Sequence, residues 1–129
     1  MPVLTASNPP GVRAPTSRYS HAVLVEGAGR RLVISGQVGV APDGSVSSTA
    51  EGQIAQAFAN LREVLRAHGM GFADIVKSTA FLTDRTHLGA YRAAREAVFA
   101  EHAPASTLLL VAGLADPRWV VEIEAEAAR

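Results

Sequence analysis

The order of patterned segments predicts an α+β sandwich, a mixed β-sheet with two helices on one face, in the order ββαβαββ. Three observations carry that prediction. Apolar residues recur at intervals of three and four over Ile54 to Leu65 and again over Leu88 to Phe99, the period of a helix with one buried face. A strand-like run, Ile75 to Leu82, lies between these stretches, and another, Thr107 to Val111, follows the second. The end of the chain alternates, with Val121, Ile123 and Ala125 on one side and Glu122, Glu124 and Glu126 on the other, the period of a strand.

Residues 2 to 18 hold four prolines, Asn8 and Gly11, so residues 1–18 read as an extended arm and 19–129 as a single domain. Ser20 to Val25 and Arg31 to Val38 form a hairpin around the turn Glu26-Gly27-Ala28-Gly29. Ala41-Pro42-Asp43-Gly44 has turn chemistry and closes that region. Ser48 with Glu51 reads as a capping box that opens the first helix, and Gly69 ends it. Ile75 to Leu82 is continuous enough in small and apolar residues to be a central strand. The second helix, marked by Leu88, Tyr91, Val98 and Phe99, is capped by Asp84 or Thr86 and closes before Pro104. Thr107 to Val111 reads as a buried strand before Ala112-Gly113. Helices on one face leave the other face of the sheet bare, and a further copy of the chain would cover it.

A chain of 129 residues suits one domain. With 48% hydrophobic residues but only four Phe, two Tyr and one Trp, its core is expected to be aliphatic. The absence of cysteine excludes disulfides, thiolate metal sites and thiol nucleophiles. Twelve basic and twelve acidic residues cancel, which disfavours nucleic-acid binding by bulk charge. Arg30-Arg31 reads as a solvated hairpin end in preference to a binding patch. No segment reaches the roughly 18 apolar residues of a membrane span, no run of signal-peptide length is present, and a soluble cytoplasmic protein is the default expectation. His21, His68, His87 and His102 lack metal-ligand spacing. His68 and His102 read as helix C-terminal residues that complement the dipole. Gly69-Met70-Gly71 follows a helix, so it reads as a cap and not as a phosphate cradle, and no cofactor is called for.

Four stretches have a distinctive order and spacing: Val33-Ile34-Ser35-Gly36-Gln37, Asp74-Ile75-Val76-Lys77-Ser78-Thr79, Pro104-Ala105-Ser106-Thr107 and Val121-Glu122-Ile123-Glu124-Ala125. In these the chain resembles the RidA (YjgF) family, from about Tyr19 to the C-terminus. The resemblance implies a chorismate-mutase-like fold and a homotrimer whose sheets line a central barrel. It also implies clefts at the subunit boundaries, where deaminating members hydrolyse reactive 2-imino acids and enamines to 2-oxo acids and ammonia. Tyr19 matches an aromatic that in the family follows a Gly-Pro pair, here replaced by Ser17-Arg18. Ser35 and Gly36 match the strand-end pair whose backbone borders the cleft, and Glu122 matches the glutamate that orients the hydrolytic water. Pro104 and Ala105 match the lead-in to the arginine that grips the substrate carboxylate, but Ser106 stands in that arginine's place. A serine offers one hydrogen bond where a guanidinium offers a charged, bidentate fork. Arg92 occupies a position where many relatives have asparagine, which makes it the candidate for a relocated positive charge.

Each of these residues also has a plainer reading. Glu122 is either a water-orienting base or, with Glu124 and Glu126, the wet face of an edge strand. Tyr19 either presses its ring on a small planar substrate or packs at a seam. Ser35 and Gly36 either admit a ligand to backbone donors or form a bulge. Arg92 and Arg95 lie three residues apart on one side of a helix, either at a cleft rim or solvated. Ser106 and Thr107 lack a histidine partner, so a hydroxyl nucleophile is not indicated. Three functions follow: a hydrolase acting on an imine, enamine or related small metabolite; a non-catalytic homotrimer that binds a small molecule or a protein; and, least supported by charge and histidine placement, an endoribonuclease or translation inhibitor.

Overall fold

The structure, a computed structural model, describes residues 3–15, 20–27 and 29–129. A six-stranded sheet carries two helices on one face, as the sequence predicts, with one strand more than the sequence shows. The strands are β1 (Val3–Ser7), β2 (Ala22–Gly27), β3 (Gly29–Val38), β4 (Ile75–Leu82), β5 (Ala105–Leu110) and β6 (Val121–Ala128). The helices are α1 (Ala50–Arg66) and α2 (Leu88–Phe99). The spatial order is β1-β2-β3-β6-β4-β5. All neighbours are antiparallel except β4 and β5, which run parallel because α2 carries the chain back between them.

The extra strand comes from the arm. Val3–Ser7 pairs with β2, and Asn8 Oδ1 accepts the His21 backbone N–H, so the proline-rich segment is tied along the hairpin. Two strands change place relative to expectation. The alternating segment β6 lies between β3 and β4, not at an edge. The segment expected to be buried, β5, is the edge strand, with Leu109 46% and Leu110 42% exposed. An apolar run cannot distinguish a central strand from an edge that awaits a partner.

Helix α1 is capped by Thr49, whose Oγ1 accepts from the Gly52 N–H, so Ser48 is not the cap. It ends before Gly69, at φ +69°, in the left-handed region that glycine adopts without strain. Asp84 caps a short 3₁₀ turn, Arg85–His87, that feeds α2, with its Oδ1 accepting from the Thr86 N–H. Leu32, Ile34, Ile75, Ala80, Leu82, Val121, Ile123 and Ala127 present a buried face to Ile54, Ala57, Phe58, Leu61, Val64 and Leu65 of α1. That layer is aliphatic, as expected, but the seam between the helices is aromatic. Phe58 stacks on Tyr91 at 6.0 Å and meets Phe72 and Phe99 edge-on.

The other face of the sheet carries no helix. Val23, Val33, Lys77, Thr79, Glu124 and Glu126 line a shallow concavity of about 400 Å³ there. Arg31 pairs with Glu126, and Arg30 donates to the His68 carbonyl, so both hairpin arginines have partners. The two helix-end histidines are engaged as bridges: His68 Nε2 meets Ser7 Oγ of β1, and His102 Nε2 meets the Ile75 carbonyl. Burial and the Arg30 charge hold the His68 pKa below the usual histidine value, which favours the neutral ring over the charged one that a helix dipole would reward. Among the described residues, no helix is long and apolar enough to cross a membrane.

Candidate active site

Two distinct settings contain Ser35, Gly36, Glu122 and Ser106 among the residues singled out in the sequence. The first is the middle of β3 and β6. Ile34 pairs with Ala125 and Gln37 with Ile123, so Ser35 and Gly36 together oppose the single residue Glu124. This is a β-bulge, and it shifts the inside-outside alternation of β3 by one. Its consequence is that Gln37, three residues after buried Ile34, is also buried. The Gln37 Nε2 donates to the Ser35 carbonyl and meets His21 Nδ1 at 3.1 Å, while His21 Nε2 meets the Arg13 carbonyl at 2.7 Å. Ser35 Oγ donates to the Ser20 carbonyl at 2.6 Å. The bulge is thereby pinned from both sides.

Glu122 lies against this bulge. It is paired across β6 with Val38 on one side and Phe81 on the other, and it sits on the helix-free face. A Cβ placed on Gly36 would come within 2.0 Å of Glu122 Oε1, so the glycine makes room for the carboxyl. Burial first, and the charge of Glu124 second, push the Glu122 pKa above the ordinary carboxylate value. A half-buried carboxyl held over the Gly36 backbone, with its proton affinity raised, is suited to accept a proton from water. Of the two readings of Ser35 and Gly36, the structure shows the bulge, and the space beside Gly36 is taken by the Glu122 carboxyl.

The second setting is the β4–β5 edge. Ser78 pairs with Ser106 in the parallel register, on the face that carries the helices. A cavity of about 330 Å³ opens here, bounded by Ser78, Ser106, Arg95, Glu96, Phe99 and His102 among others. Ser78 Oγ is buried with no hydrogen-bond partner among the described residues. Arg92 is exposed and does not line this cavity; Arg95, one turn further along α2, does. Ser106 and Glu122 belong to opposite faces of the sheet, so a single chain does not bring them together. Thr107, on the face opposite Ser106, accepts from Lys77 Nζ at 2.5 Å. Tyr19 lies outside the described residues.

Sequence reasoning passed over Ser78 and Trp119. Ser78 is the polar residue among the buried positions of β4, the others being Ile75, Ala80 and Leu82. Trp119 Nε1 is likewise buried without a partner among the described residues, and its ring lines a small cavity of about 60 Å³ with Arg13, His21, Gly36, Gln37 and Asn60. Trp119 carries no periodic pattern in sequence, which is why only the structure reveals it.

Known proteins are similar to this chain in sequence and in fold. The family profile described as Endoribonuclease L-PSP matches residues 11–129. The human 2-iminobutanoate/2-iminopropanoate deaminase is 34% identical over 128 residues, 97% of this chain and 88% of its own length. The crystal structure of the Escherichia coli YjgF gene product superposes with a TM-score of 0.87 at 30% identity, covering 97% of this chain and 98% of that one. That of E. coli TdcF with bound serine gives a TM-score of 0.87 at 25% identity and the same coverage. Family match, sequence relatives and superposition agree with the six-stranded, two-helix sandwich: the chain belongs to the Endoribonuclease L-PSP family, the RidA/YjgF proteins.

Proposed function

We propose that this protein is a deaminase-type hydrolase of small, reactive imines or enamines, working as a homotrimer whose subunit boundaries complete the site. The observation that carries this reading is the half-buried Glu122 carboxyl held over Gly36. In the reaction, the water oxygen adds to the imine carbon while Glu122 takes one of its protons. Glu122 passes that proton to the imine nitrogen, giving a carbinolamine. It then takes the carbinolamine hydroxyl proton and delivers it to the nitrogen as the C–N bond breaks, which releases ammonia, leaves a carbonyl and returns the carboxylate unchanged. The names of relatives support the substrate class, since one acts on 2-iminobutanoate and 2-iminopropanoate and another holds serine. The bare sheet face, with Val33 37% and Leu109 46% exposed, supports association.

A second reading, a trimer that binds a metabolite without turning it over, is favoured by Ser106, which cannot supply a charged fork. An endoribonuclease role has less support, since the formal net charge is zero. One assay separates these readings. Imines generated in place by an amino acid oxidase, from small, aromatic and cationic amino acids, are followed for oxo-acid release against the uncatalysed rate. Acceleration that disappears in Glu122→Ala supports the hydrolase. Acceleration that persists in that variant removes Glu122 from the mechanism. No acceleration, with sedimentation reporting an intact trimer, selects the binding reading, and a monomer at micromolar concentration overturns the assembly.

A further inference from the structure

We infer that the cavity between α2 and the β4–β5 edge is a carboxylate site, with Arg95 as its cation and the Ser78 and Ser106 hydroxyls as its neutral donors. Three independent features converge on it. The first is the placement of Arg95. Tyr91, Arg95 and Phe99 follow one another at four-residue intervals, which puts them on one side of α2. Tyr91 and Phe99 are buried, so a guanidinium stands in the middle of a core-facing stripe. Helices seldom carry a charge there unless something compensates it. Arg95 forms no ion pair among the described residues, and its guanidinium lies 5.9 Å from the centroid of the Tyr91 ring. By contrast Arg31, Arg66 and Arg118 each have a carboxylate partner.

The second feature is Ser78. It is 2% exposed, lines the cavity, and has a hydroxyl without a partner among the described residues. A buried hydroxyl left unpaired costs about 1–3 kcal/mol, a cost that a ligand oxygen would remove. The third is register. The parallel β4–β5 pairing places Ser106 beside Ser78 on the same face, so two hydroxyls approach from the strands while the guanidinium approaches from the helix. The cavity, about 330 Å³, is at the lower end of ligand pockets, which suits a small metabolite. Glu96 also lines the cavity, so with one guanidinium in the lining a second negative charge on the ligand meets only repulsion, and monocarboxylates are preferred over dicarboxylates.

The site deepens the proposed hydrolase by naming an anchor for its substrate, and rests on that reading only for the identity of the metabolite. The test is equilibrium titration of the intact protein with 2-oxobutanoate, with 2-butanone as the neutral analogue and 2-oxoglutarate as the dicarboxylate. The expected result is saturable binding of 2-oxobutanoate, at least about 10-fold stronger than either analogue. Arg95→Gln is expected to weaken it at least about 10-fold, Ser78→Ala about threefold, and Arg85→Gln, exposed and remote, not at all. Should Arg95→Gln fold poorly, Arg95→Lys keeps the charge without the fork and is expected to weaken binding by a smaller factor. Absence of 2-oxobutanoate binding, equal affinity for 2-butanone, or a loss that follows Arg92→Gln and not Arg95→Gln overturns the site. Since no turnover is measured, Arg95-dependent binding without imine hydrolysis would retain the site and reject the hydrolase.

Discussion

The Glu122 carboxyl occupies the volume that a side chain at Gly36 would fill: a Cβ there would lie 2.0 Å from Oε1 and 2.7 Å from Cδ. A methyl group at residue 36 therefore displaces the carboxyl while leaving both strands intact. Gly36→Ala is expected to lower imine turnover at least about 10-fold and stability by about 1 kcal/mol, in the range of ordinary overpacking. The double variant with Glu122→Ala should lose little more activity than Glu122→Ala alone, since both act through one group. Steady-state rates and melting temperatures of the three variants check this, and additive losses in activity would separate the two residues.

The raised proton affinity of Glu122 has a definite sign in stability. The folded state holds this carboxyl's proton more tightly than the unfolded chain does, so Glu122 favours folding at pH values below the ordinary glutamate range. That contribution is lost as pH rises from the ordinary value through the raised one. Glu122→Gln should consequently gain stability relative to the parent over that interval, while losing activity. Urea midpoints measured from pH 4 to pH 7 for both proteins check it, and parallel curves would contradict the raised affinity. Glu124 is the second cause of the shift, so Glu124→Gln should move the acid limb of the kcat/KM profile to lower pH.

The helices and the alternating strand are legible in the sequence because burial of one face imposes a period, and Val121 to Ala127 or Ile54 to Leu65 display it without interruption. Strand order is not legible in the same way. β5 and β6 exchange their expected places because an apolar edge such as Leu108-Leu109-Leu110 has the same composition as a buried strand. Glu122 and Ser35-Gly36 could be marked as site residues from the family pattern, but their contact depends on the bulge, which shifts register by one residue and leaves no periodic trace. Arg95 was readable as the residue between Tyr91 and Phe99 at helical spacing. Its relation to Ser78 was not, since it arises from the parallel pairing of strands separated by a whole helix.

Gln53 fastens α1 to the segment that leads into β6. Its Nε2 donates to the Ser47 and Arg118 carbonyls at 3.1 and 2.9 Å, and its Oε1 accepts from the Val120 N–H at 2.9 Å. Gln53→Leu keeps the volume but leaves three backbone groups unpaired in a buried setting. The expected loss is about 3 kcal/mol. Denaturant unfolding measures it, and a loss below about 1 kcal/mol would mean that solvent reaches those groups. Because the next residue but one after Val120 is Glu122, a faster hydrogen exchange at Val120 and Val121 should accompany the loss.

Gly69 and Ala100 both follow helices at positive φ, and only one of them is a glycine. Ala100 has φ +52° and ψ −117° after α2, while Gly69 has φ +69° after α1. An L side chain at positive φ costs about 1–2 kcal/mol, of which the lower unfolded-state entropy of alanine returns about 0.4–1 kcal/mol. Ala100→Gly should therefore stabilise the protein by about 1 kcal/mol, and raise the melting temperature by about 3–5 °C for a domain of this size. Gly69→Ala should lose a similar amount. A Cβ at Gly69 would have nothing within 4 Å, so that loss measures backbone strain without collision. Thermal melts of both variants decide the matter. Opposite shifts of like size confirm that the two caps differ in backbone strain alone. A fall on Ala100→Gly would mean that the alanine methyl makes favourable contacts in the cavity it borders.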